Sequence, residues 1–87
     1  MPKVDEIRHA RIKIAVMAYA YEIADDALVS DEEYDKLAYS LDTKTSTGFK
    51  LLDDFFKNEF TPDTGMWIHN HPELDKIAAI YKKYHEL

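Results

Sequence analysis

Asp31, Tyr34 and Asp35 stand at i, i+3 and i+4 within VSDEEYDKLAYSL, residues 29–41. On a helix this spacing sets one aromatic ring between two carboxylates on a single face, an arrangement suited to a flat cationic or amide-bearing ring. A well-made helix start accounts for most of the same residues. Ser30 is a strong N-cap, Glu33 three positions later completes a capping box, and Val29 and Tyr34 occupy the hydrophobic-staple positions. Asp31 and Glu32 favour the positive end of the helix dipole. Asp35 is left over: aspartate is a poor residue inside a helix, and at i+4 from Asp31 it adds a like-charge repulsion of about 0.2–0.5 kcal/mol. A solvated acidic face is the ordinary reading of these residues, and a binding face is the alternative.

Helices must position them. From about residue 4 to 24 there is neither proline nor glycine, and Ile7, Ala10, Ile14, Met17, Ala18 and Tyr21 recur at helical spacing. Ile12, Val16, Tyr19 and Ile23 form a second apolar row, so the later half of this helix is expected at the centre of the core. Its first turns, with Lys3, Arg8, Arg11 and Lys13, are expected to face solvent. A second helix opens near Asp31 and carries Tyr34, Leu37, Ala38 and Leu41 on one stripe. TKTSTG, residues 43–48, breaks the pattern, with Thr47 the expected N-cap of a third helix bearing Phe49, Leu52, Phe55 and Phe56. TPDTG, residues 61–65, is a turn, and MWIHNH, residues 66–71, reads equally as a few extended residues or a packed loop. Pro72 suits a first helical position, after which Leu74, Ile77, Ala78, Tyr81 and Tyr84 make a last amphipathic helix.

Eighty-seven residues hold one domain, and 46% hydrophobic against 32% charged residues is a globular balance. With no cysteine, packing alone must hold the fold. No apolar run approaches the roughly 20 residues of a membrane span, so a cytoplasmic protein is expected. The net charge of −6 disfavours nucleic acid as a partner and favours basic protein surfaces.

Other groups carry weaker chemistry. His69 and His71, with Glu73 or Asp75 and with His9 and His85 elsewhere, are metal-ligating types, yet a loop histidine before a helix-starting proline is more often a cap or a surface residue. Trp67 is read as a core anchor for the irregular segment, and Phe55, Phe56 and Phe60 as core rings. No nucleophile context and no phosphate-cradling glycine loop is present, so no enzymatic activity is expected.

YEIADDALVSDEEYDKL, residues 21–37, resembles the signature of the N-terminal Ia subdomain of NAD-dependent DNA ligases. In that family a tyrosine ends the first helix, a hydrophobic-x-Asp step follows (here Ile23 to Asp25), and V-S-D-x-E-Y-D-x-L opens the second helix. The resemblance runs over about residues 5–42 without a gap. It implies an antiparallel helix pair and aligns Tyr21, Asp31, Tyr34 and Asp35 with residues that contact the nicotinamide mononucleotide half of NAD. Residue 22, usually histidine or tyrosine there, is Glu22, whose carboxylate repels a phosphate. HPEL, residues 71–74, resembles a string that follows the Ia helices in many ligases, but lies far downstream of its place there. No K-x-D-G adenylation motif is present, and the chain is similar to stand-alone, phage-encoded proteins of the Ia type.

These readings together predict an all-α single domain, residues 1–87, of about four helices. Residues 5–42 are the ligase Ia-like pair, and residues 43–87 add further helices and an irregular segment. The expected function is non-catalytic: an acidic face of Tyr21, Glu22, Asp31, Tyr34 and Asp35 docking a basic protein surface as an inhibitor or adaptor. A host or phage nucleotidyltransferase or a defence protein is the candidate partner. The alternative is a binder or sink for nicotinamide nucleotides, NMN or NAD; neither is a required cofactor, and no metal is expected.

Overall fold

The proline- and glycine-free run near the N-terminus is helix α1 (Val4–Glu22) in a computed structural model that describes residues 3–26 and 28–85, the last two by backbone alone. It is followed by α2 (Asp31–Ser40), α3 (Lys50–Asn58), a 3-10 helix (Met66–Asn70) and α4 (Leu74–His85), with no strand among the described residues. α1 packs against α2, the 3-10 helix and α4, so the first and last helices lie together.

Both apolar rows of α1 enter the core up to Ala20. Ile14, Ala15, Ala18 and Ala20 are wholly or almost wholly buried, and the small alanine side chains let neighbouring elements approach closely. Beyond Ala20 the expectation fails: Tyr21 is 59% exposed and Ile23 is exposed too, at the point where the helix ends at Glu22. Asp25 adopts φ 53°, a left-handed conformation that aspartate tolerates better than most residues. The chain thereby turns so that the Asp26 amide reaches back to the Ala20 carbonyl at 2.7 Å.

Arg11 overturns the expectation that the residues of the first turns face solvent. It is buried, 4% exposed, and donates to the Asp53 carboxylate at 2.7 Å and to the carbonyls of Asp42 and Thr45 at 3.0 and 3.1 Å. A guanidinium offers enough donors in fixed geometry to be satisfied inside the protein. Arg8 is half-buried, its guanidinium 4.0 Å from the centre of the Phe49 ring, whereas Lys3 and Lys13 are exposed as expected.

Thr47 is not the N-cap of α3; that position is Phe49. Asp53, inside the helix, instead reaches back and accepts from the Thr47 amide at 2.9 Å and hydroxyl at 2.7 Å. Residues 66–70 are neither extended nor loop, and only His71 at the end of the segment is extended. Their 3-10 turn buries Trp67 and Ile68 against a ring cluster of Phe55, Phe56 and Phe60, with Phe60 and Trp67 4.9 Å apart. α4 begins two residues after Pro72, and His71 prepares its start by accepting the Glu73 amide on Nδ1 at 3.0 Å. Ile77 is buried, and Leu74, Ala78 and Tyr81 are half-buried, as their spacing predicts; the side chains of Tyr84 and His85 lie outside the described residues. Among the described residues no helix is long and apolar enough to cross a membrane.

Candidate functional site

The end of α1 supplies Tyr21 and Glu22, and the first turns of α2 supply Asp31, Tyr34 and Asp35. Ser30 caps α2 as its sequence predicts, the Glu33 amide donating to Ser30 Oγ at 3.2 Å, while the return bond of the capping box, from the Ser30 amide to the Glu33 carboxylate, is not formed. All five predicted residues line one open cleft of about 340 Å³. Its apolar floor includes Met17, Ala18 and Leu28.

A third wall comes from the turn at residues 63–65, which sequence reasoning had recognised only as a turn. Asp63, Thr64 and Gly65 all line the cleft. Gly65 lies so close to the end of α1 that an added Cβ would sit 3.2 Å from Glu22 Cγ and 3.3 Å from its carboxylate. The turn is held there by Tyr34, whose hydroxyl donates to the Thr64 carbonyl at 3.1 Å and accepts the Trp67 indole N–H at 3.2 Å. No sequence signal links these residues, since they lie 30 and 33 positions apart.

Tyr34 therefore presents its ring to the cleft while its hydroxyl is taken up by the fold. Burial raises its pKa above the ordinary phenol value, the Trp67 bond opposes this, and the nearby charges of Glu22 and Asp35 raise it further. Tyr21, by contrast, keeps an exposed ring at the cleft. Among the described residues four carboxylates line the space, those of Glu22, Asp31, Asp35 and Asp63, and no lysine, arginine or histidine does. Chemically, this is a place for a cation or a strong hydrogen-bond donor, and a phosphate would enter against like charge.

The histidines are arranged otherwise. His71 is buried with its ring centre 5.1 Å from that of Phe55, and burial lowers its pKa below the usual histidine value, with the charge of Glu73 partly opposing. His9 and His69 are exposed. Among the described residues no three histidine, aspartate or glutamate side chains come together in a way that could hold a metal ion. No family model, curated protein or solved structure matches this chain.

Proposed function

We propose that this protein is a non-catalytic adaptor or inhibitor whose acidic cleft takes a lysine or arginine from a basic protein surface. The observation that carries this reading is the lining itself, with Glu22, Asp31, Asp35 and Asp63 on three walls and no counter-charge there among the described residues. Charge-assisted bonds to several carboxylates favour such a guest, and complementary charge speeds its docking. The ligase Ia likeness, resting on the motif residues 21–37, belongs to the same proposal. It suggests a helix pair kept as a scaffold by a phage-type protein, with a host or phage nucleotidyltransferase or a defence protein as partner.

One observation favours the nicotinamide reading as a second. Tyr21 and the turn at 63–65 make the cleft more than the open half-site the Ia face is in a ligase, and an exposed ring beside carboxylates suits a cationic pyridinium. On this reading the unphosphorylated nicotinamide riboside binds ahead of NMN.

Parallel capture with the wild-type chain and an Asp31→Lys, Asp35→Lys double variant tests the first reading. A partner held by the wild type, released at about 0.5 M salt and lost on charge reversal supports it. Equal retention by both proteins sinks it. Calorimetric titration with nicotinamide riboside, NMN and NAD tests the second, and no saturable heat from any of them removes it.

A further inference from the structure

α1, the start of α3 and α4 line a second, partly open cavity of about 270 Å³ that shares no lining residue with the acidic cleft. Its apolar walls are Ile12, Leu52, Phe56, Ile77 and Ile80. The charge around it is opposite in sign to that of the molecule. In a chain with net charge −6, Arg8, Arg11 and Lys76 line this cavity against a single carboxylate, Glu73.

The three cations are not equivalent. Arg11 is consumed by Asp53 and two carbonyls. Lys76 pairs with Glu73 at 2.6 Å but is 70% exposed, so its ammonium keeps room for a second partner. Arg8 rests on the Phe49 ring and, among the described residues, has no carboxylate within ion-pair distance. On the wall, His71 Nδ1 accepts the Glu73 amide, which leaves the proton of the neutral ring on Nε2. Among the described residues this N–H has no protein acceptor, and His71 is one of the residues lining the cavity.

We propose that this cavity binds a small monocarboxylate with an apolar body, its hydrocarbon against Phe56, Ile77 and Ile80 and its carboxylate at the cationic rim of Arg8 and Lys76. The cavity is partly open to solvent, and its volume of about 270 Å³ suits a small guest such as octanoate or phenylacetate. For a ligand this small, a Kd on the order of 1 mM is expected.

The test is a titration of the full chain with octanoate, octanamide and octylamine, read from the NMR signals of the His71 ring and the Ile77 and Ile80 methyls. The expected result is saturable shifts confined to the cavity residues, with octanoate about fivefold tighter than octanamide. Arg8→Gln should lose about that same factor, and Ile80→Trp, which fills the mouth, should abolish saturation. Both positions are at least partly exposed, and an amide spectrum otherwise matching wild type establishes that each variant is folded. Octanamide or octylamine binding as tightly as octanoate overturns the proposal. So does the absence of saturable shifts up to about 10 mM, undiminished octanoate binding in either variant, or shifts appearing at the acidic cleft instead.

Discussion

Trp67 donates its indole N–H to the hydroxyl of Tyr34, 33 positions earlier in the chain. That hydroxyl in turn holds the Thr64 carbonyl, so one oxygen positions both the buried tryptophan and the turn that walls the acidic cleft. The residue predicted as a ligand contact is thus also a strut.

Tyr34→Phe keeps the ring and removes this oxygen, leaving a buried N–H and a carbonyl unpaired. The expected cost is about 1–3 kcal/mol. Urea denaturation measures it, and the amide signals of residues 63–65 should shift more than those of α3.

Arg11→Met should cost about 3–5 kcal/mol, because it strands the Asp53 carboxylate and two carbonyls. The same cluster governs acid behaviour. Burial alone would raise the pKa of Asp53, but the Thr47 hydroxyl and amide and then Arg11 outweigh it and leave it below the ordinary value. The Asp42 pKa is lowered by the Thr45 hydroxyl first, then by the Thr45 and Lys44 amides. For a depressed folded pKa the stabilisation is complete above the unfolded value of about 3.9 and is lost as pH falls through the folded one. Asp53→Asn should therefore be less stable at neutral pH and lose less on acidification, a difference visible in urea midpoints at pH 7, 4 and 3.

His71 gives a second, separate pH effect. Its folded pKa lies below the unfolded value of about 6.5, so the unfolded chain takes up the proton first and stability falls as pH drops below that point. His71→Asn, which retains an acceptor for the Glu73 amide, should be less stable throughout and flat between pH 7 and 5. A slope equal to that of wild type would show that another group titrates.

Asp35→Asn separates stability from binding. It removes the i,i+4 repulsion with Asp31 and should raise stability by about 0.2–0.5 kcal/mol while weakening retention of a basic partner. Thermal unfolding and capture on the same preparation measure both.

The helices were legible because their apolar residues recur at 3.6 spacing, and the start of α2 because its capping chemistry is local. Arg11 carried a signal that was passed over. At i+4 from Ile7 and three before Ile14 it sits on the buried stripe itself, where a cation demands partners. Those partners lie 31 to 42 residues away, beyond any local pattern. The same distance hid Asp63, Thr64 and Gly65, whose place in the cleft depends on Tyr34. A threonine near a helix start usually caps it, but Asp53 binds both the hydroxyl and the amide of Thr47 and takes it out of that role.

α1 is shared property: α2 lies on it, and so do α4 and the 3-10 helix, while Tyr81 of α4 donates to Asp26 in the loop after it at 2.8 Å. The pair of helices in residues 5–42 is consequently not a detachable module. Cut free, it would open the face of Ile14, Ala15 and Ala18 to water and break the bonds of Arg11 to Thr45 and Asp53. In this protein the motif of residues 21–37 thus rests on a core that Phe55, Phe56, Trp67, Ile68 and Ile77 of the later half complete.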